Sequence, residues 1–179
     1  MTRDFSECTE CGGRMPATRR RDARFCSARC RVRAHRRVKR TAAIPECMRS
    51  LDRWVRSDGK RPVRPSGQWA SSTKPWTWSP FEDVQHGAGD GFGFMLGDGI
   101  GCLDLDYAVC DDGELKPWAA GLVAEWAPRT VFAETSMSGK GVHLFVRVTE
   151  SRGQRVELED GRAEFYSWGR FIRMTGKSL

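Results

Sequence analysis

Ile100-Gly101-Cys102-Leu103-Asp104-Leu105-Asp106 is an apolar run that ends in two carboxylates. A short apolar run of this length bounded by turn residues reads as a strand. Side chains alternate across a strand, so Asp104 and Asp106 leave the same face. Two stretches downstream share its character. Ser138-Gly139-Lys140-Gly141-Val142-His143 is a Gly-rich turn that opens an apolar run, and Glu164-Phe165-Tyr166 closes another. Two same-face carboxylates plus a third on another strand can hold hard divalent cations such as Mg²⁺ or Mn²⁺. A Gly-rich turn offers backbone N–H groups to phosphate. A Walker-type phosphate loop is not what is seen, because Lys140 is followed by Gly141 rather than Ser or Thr. Each stretch alone is a weak signal. Their order, spacing and strand contexts together predict metal-assisted phosphoryl chemistry on a nucleotide.

Outward from this core, residues 91–96 and 100–105 read as a hairpin around Gly97-Asp98-Gly99. Residues 117–127 read as a short helix with Pro117 in its first turn and Leu122, Val123 and Trp126 on one face. Strands are predicted at 130–135, 142–148, 155–158, 162–166 and 170–174. The sequence of elements predicts an α+β sheet domain. Upstream, Cys47, Met48, Leu51, Trp54 and Val55 stand at helix spacing, which predicts a helix within 46–60. Residues 81–86 predict a helical turn. Residues 57–80 are rich in Gly, Pro, Ser and Thr, with Trp69, Trp76 and Trp78 interleaved. Tryptophans need burial or a stacking partner, so this stretch is expected to be a structured loop.

The first forty residues differ in kind. They carry 13 Lys/Arg against 4 Asp/Glu, a net +9, while the rest of the chain carries 17 against 19, a net −2. The basic excess therefore belongs to the N-terminal segment, which predicts a polyanion partner, nucleic acid first. Cys8, Cys11, Cys26 and Cys30 follow the spacing C-x2-C, fourteen residues, C-x3-C. Four thiolates on two turns suit tetrahedral, structural Zn²⁺. His35 is an alternative fourth ligand. Residues 27–40 lack Gly and Pro and predict a helix with Ser27 as N-cap. Its basic residues Arg29, Arg31, Arg33, Arg36, Arg37, Lys39 and Arg40 spread around the axis, so phosphate contact is expected but sequence readout is not.

The 179 residues suffice for one globular domain with an appendage. No run approaches a membrane span, so no membrane partner is expected. Seven cysteines, an odd number, and no export signal predict a reducing, intracellular setting.

The three motifs, in order, resemble those of the archaeo-eukaryotic primase superfamily, closest to the primase–polymerase domains of phages and mobile elements. The approach to the first motif is similar too, in Arg53-Trp54-Val55, Lys60-Arg61-Pro62, Ala70-Ser71-Ser72-Thr73, Trp78-Ser79-Pro80-Phe81 and residues 91–97. So is the ending, Gly169-Arg170-Phe171-Ile172-Arg173-Met174-Thr175-Gly176. The resemblance implies a catalytic domain over 44–179 behind a zinc-binding basic module at 1–43. It implies an RRM-like antiparallel sheet joined to a smaller α/β part, with the active site between. Asp104, Asp106 and Glu164 would hold two Mg²⁺ or Mn²⁺ ions. His143, with Ser138, Gly139, Lys140, Gly141 and Arg173, would bind the nucleoside triphosphate on a single-stranded DNA template. Many relatives continue past this point into a helical segment and often a helicase, so a separate helicase or C-terminal partner chain is also expected.

Two other functions fit the same residues. One is an inactive or regulatory nucleic-acid-binding zinc protein on a primase-like domain. The other is a metal-dependent nuclease. The intact carboxylates and His143 favour primer synthesis or extension in phage or mobile-element replication.

Overall fold

The structure, a computed structural model, describes residues 7–20 and 22–179, without the side chain of Arg40. Of the basic residues counted above, Arg3 and Arg21 lie outside the described residues. In chain order the strands are β1 (Trp54–Asp58), β2 (Arg61–Val63), β3 (Gly91–Met95), β4 (Ile100–Asp106), β5 (Thr130–Thr135), β6 (Val142–Arg147), β7 (Gln154–Leu158), β8 (Gly161–Tyr166) and β9 (Phe171–Met174). The helices are α1 (Ala28–Ala42), α2 (Glu46–Arg49) and α3 (Pro117–Trp126). The chain divides into two compact units between Ala42 and Ala43.

The second unit is built from two antiparallel sheets. One has the order β2-β1-β3-β9, the other β5-β6-β4-β8-β7. The alternation along β4 decides what each face meets. Leu103 and Leu105 leave one face and join Val142, Leu144 and Val146 of β6 against Ala119 and its neighbours on α3. Ile100 and Cys102 leave the other and join Phe132 and Phe145 against Phe94, Ile172 and Met174 of the four-stranded sheet. Central β4 is thus covered on both sides, which is why it reads as a nearly unbroken apolar run. Each such side chain, once buried, contributes roughly 1.5–3 kcal/mol of transfer free energy. Gly161 opens β8 because a Cβ there would lie 2.4 Å from the ring of Trp118 on α3.

The expected hairpin at 97–99 is a corner instead. β3 pairs with β1 and β9, whereas β4 pairs with β6 and β8. Only the bridge Gly97↔Ile100 joins the two strands. Gly97, Asp98 and Gly99 all have positive φ, and that run swings the chain from one sheet to the other. The helix expected within 46–60 is limited to α2, after which Trp54 and Val55 enter β1. Both are fully buried on opposite faces of a strand that is central in its sheet. Their helix-like spacing was therefore a coincidence of a strand buried on both sides. The helical turn expected at 81–86 is a 3-10 turn, Asp83–Gln85.

The tryptophan-rich stretch is ordered by its own contacts. Trp78 donates from Nε1 to the Ser71 carbonyl at 2.7 Å and lies 4.7 Å from the Arg53 guanidinium. Trp69 and Trp76 are exposed, with Arg61 and Lys74 over their rings.

In the first unit, Cys8 to Gly13 forms a tight turn in which Cys8 N donates to Gly13 O and Gly12 N to Cys8 O. The Ser27 hydroxyl accepts from Cys30 N at 3.2 Å, so Ser27 caps α1. Cys8, Met15 and Cys30 make a small core with Ala23, Phe25 and Cys26.

Candidate active site

Strand register assembles the site. Glu134 on β5 stands opposite His143 on β6, His143 opposite Asp104 on β4, Asp104 opposite Glu164 on β8, and Glu164 opposite Arg155 on β7. One row of charged side chains therefore crosses all five strands. A second row, Asp106 opposite Arg162 opposite Glu157, lies two residues nearer solvent. Both rows continue the face that Cys102, Phe132 and Phe145 begin in the core. Along β4 this face runs outward from buried Cys102 to Asp104 and Asp106, whose side chains are 25% and 37% exposed.

His143 is buried between two carboxylates. Its Nδ1 is 3.0 Å from Glu134 Oε1 and its Nε2 is 3.6 Å from Asp104 Oδ1. Burial disfavours the imidazolium, but the Glu134 hydrogen bond and the charges of Asp104 and Glu134 outweigh it and raise the pKa. Asp104 is held above the usual carboxylate range. Burial is the main cause, the His143 charge opposes it, and the charges of Asp106 and Glu164 add to it.

Glu164 gathers cations. Arg155 and Arg162 approach Oε1 at 3.5 and 3.4 Å, Arg170 approaches Oε2 at 3.9 Å, and the Tyr166 hydroxyl donates to Oε2 at 3.1 Å. Arg162 also pairs with Asp106. Arg170 lies over the Tyr166 ring at 4.5 Å. Three carboxylates of β4 and β8 share one face, a chemistry that suits hard cations, but their oxygens do not gather within 4.8 Å of one another as the four N-terminal cysteine sulfurs do. A divalent ion would take these oxygens in competition with Arg162.

The Gly-rich stretch is the tight connection from β5 to β6. Ser136 N donates to Gly141 O, Gly139 N to Ser136 O, and Lys140 N to the Ser138 hydroxyl. A Cβ on Gly141 would lie 2.9 Å from Leu105 O, so the loop presses against the end of β4, beside Asp106. Ser138 and Lys140 stand there exposed, with Lys140 Nζ 3.4 Å from Asp111. Arg173 is not brought to this place. It sits on β9 and pairs with Asp90 at 3.2 Å.

Sequence reasoning missed Glu134, Arg155, Arg162 and Arg170. The available signal was a charged residue at the alternation position of a strand: Glu134 two after Phe132, Arg162 two before Glu164. It becomes decisive only with the cross-strand register.

The four N-terminal cysteines do converge. Their Sγ atoms all lie within 4.8 Å of one another, and they are the one such His/Cys/Asp/Glu cluster among the described residues. The contacts Cys11–Cys26 at 3.7 Å and Cys26–Cys30 at 3.5 Å approach the edge of a ZnS₄ tetrahedron, about 3.8 Å for Zn–S bonds of about 2.3 Å. An all-sulfur set of this size fits structural zinc. Backbone amides, that of Cys26 foremost, pull the Cys8 thiol down to about 6. The Cys30 thiol beside it pushes Cys26 up to about 12. Crowded thiols that compete for protons are what a cation relieves. His35 is exposed and outside the cluster. Behind the knuckle, Glu10 Oε2 holds Arg37 at 3.1 Å and Oε1 lies 3.6 Å from Arg33, so α1 is pinned to the Cys8–Cys11 turn.

The family of the bifunctional DNA primase/polymerase N-terminal domain matches residues 31–176, and the chain belongs to that family. A DNA primase-polymerase of Nitratiruptor phage NrS-1 is 33% identical over 131 residues, 67% of this chain and 18% of that protein. The chain thus spans under a fifth of the length of this phage relative. Among the described residues no helix is long and apolar enough to cross a membrane.

Proposed function

We propose that residues 44–179 catalyse nucleotidyl transfer, making or extending primers on single-stranded DNA, and that residues 1–43 are a zinc-bound module that grips the template. The observation that carries this reading is the register that sets Asp104 against Glu164, with His143 on the other flank and Asp106 two residues outward on the same face. Asp104, Asp106 and Glu164 would hold the Mg²⁺ or Mn²⁺ ions. When bound, these ions acidify the attacking 3′-hydroxyl and neutralise charge on the triphosphate.

The remaining work falls to the chain. His143 Nε2 meets the triphosphate as a donor. The β5–β6 loop, with the Ser138 hydroxyl and the Lys140 ammonium, holds the phosphate tail beside Asp106. Arg162, released from Asp106, and Arg170 are placed to balance phosphate charge. In-line transfer asks chiefly for position and charge, which these groups supply. Arg173, held by Asp90, is assigned no phosphate in this reading.

The test is de novo synthesis and primer extension with labelled nucleotides on single-stranded templates, with Mg²⁺ and Mn²⁺. Lengthening products support the reading. Shortening of the template would establish a nuclease. A wild-type protein that binds template and triphosphate yet makes nothing, even with a helicase or C-terminal partner added, would establish the regulatory role.

A further inference from the structure

One buried group in the charged row has no part in the scheme above. Glu134 has no exposure at all, and a carboxylate is seldom placed so without several donors. It has four. Oε2 accepts from Thr175 N at 2.9 Å, from the Thr175 hydroxyl at 3.2 Å and from Gly176 N at 2.7 Å. Oε1 stands 3.0 Å from His143 Nδ1, and an ionised carboxylate oxygen at that distance calls for a proton on the nitrogen. The Thr175 hydroxyl has one proton, which it shares between Oε2 and Thr135 O, the latter at 2.7 Å.

The place of Glu134 in the row excludes it from the metal ligands. It is three strands from Glu164, about 14 Å at the usual strand spacing, and the His143 ring stands between it and Asp104. Among the described residues its one partner on the site side is the imidazole. The backbone amides that follow β9 hold one carboxylate oxygen, so the other has one direction left. A ring that donates from Nδ1 to a fixed oxygen cannot turn over, and its Nε2 must face Asp104 and the open side of the site.

We infer that Glu134 is a positioning residue: it fixes Nδ1 of His143 as the inward donor, so that Nε2 is the atom presented to the nucleotide. Because Thr175 and Gly176 directly follow β9, the orientation of the ring depends on the four-stranded sheet as well as on its own. The inference rests on the reading of His143 as a phosphate contact, but the hold on the ring can be measured without nucleotide.

The test uses the full chain and the near-isosteric Glu134→Gln, with His143→Ala and the double variant. In ¹⁵N spectra of the wild type, His143 should show a proton on Nδ1 that is protected from exchange with water. Nδ1 of His143 without a proton would overturn the inference, whether or not the protein binds nucleotide. Glu134→Gln should remove that protection and weaken deoxynucleoside triphosphate binding about 10–100-fold, as for other groups that orient a site ligand. In the His143→Ala background the same change should cost nothing further in affinity. Losses that multiply in the double variant would give Glu134 a purely structural role and overturn the inference. If the wild type shows the protected proton but binds no triphosphate, the positioning stands and the phosphate role of His143 fails. Should Glu134→Gln not fold, the wild-type spectrum alone decides.

Discussion

At the scale of single residues, the site is a set of carboxylates held together against their repulsion. Asp104→Ala or Asp106→Ala should reduce divalent-metal-dependent incorporation by about a hundredfold or more, the scale seen when one charge-stabilising group is removed. Template binding should largely survive, since neither side chain is a core group. Equal primer synthesis by wild type and Asp106→Ala would end the two-metal reading. Asp104 also bears on stability. Its folded pKa lies above the value near 3.9 of an unfolded aspartate, so between the two the folded state binds more protons. Stability contributed by this group therefore falls as pH rises through that window. Asp104→Asn should melt a few degrees higher than wild type at pH 7 while losing activity, and the two should converge near pH 3. A lower melting temperature for Asp104→Asn at pH 7 would show that the cost of burying its charge is already balanced. His143 has the opposite sense of charge. Its raised pKa keeps the imidazolium present above the ordinary value near 6.5, so triphosphate affinity should decline as pH rises through a midpoint beyond that value. His143→Ala should flatten this dependence; an unchanged profile would assign the titration to another group.

At the scale of elements, α1 and the cysteine turns act as one piece. Ser27 caps the helix, Cys30 is its third residue, and Glu10 ties Arg33 and Arg37 to the opposite turn. Arg33 and Lys39 are exposed all the same, and so are three further arginines, Arg29, Arg31 and Arg36. Replacing these three by Gln should weaken single-stranded DNA binding and lower the slope of log affinity against log salt by up to about 0.7 for each phosphate no longer neutralised. The variant would behave as wild type across a salt titration if the template met only the catalytic unit. The sheets show a related division of labour. Apolar positions of β4, β6 and β8 secure the strands on both faces, and that rigid register, not any loop, spaces the charged row.

At the scale of the whole molecule, the two units have separate means of stability. Among the described residues of the first, the buried apolar side chains are Cys8, Met15, Cys30 and Ala34, two of them cysteines, so its folding should depend on zinc. Cys26→Ser or a strong chelator should abolish its zinc content and its melting transition, while the main transition of residues 43–179 stays within a few degrees. A single transition that shifts as one block would mean that the units fold together. Much of this was legible in the chain. The cysteine spacing gave the ligand cluster, because C-x-x-C brings two thiols to one turn whatever lies around it. Apolar runs bounded by turn residues gave β4, β6 and β8, and strand alternation, which is local geometry, gave the common face of Asp104 and Asp106. The corner at Gly97–Gly99 was not legible, since positive φ permits a hairpin and a crossing between sheets equally. Nor was β1, because Trp54 and Val55 extend the helix spacing that Cys47, Met48 and Leu51 begin, and no Gly or Pro separates the two elements. Glu134, Arg155, Arg162 and Arg170 came into view only with the fold. Local sequence decides which face a side chain leaves. Which residue of another strand stands opposite it is set by hydrogen-bonded register between segments far apart in the chain, and only the tertiary structure decides that.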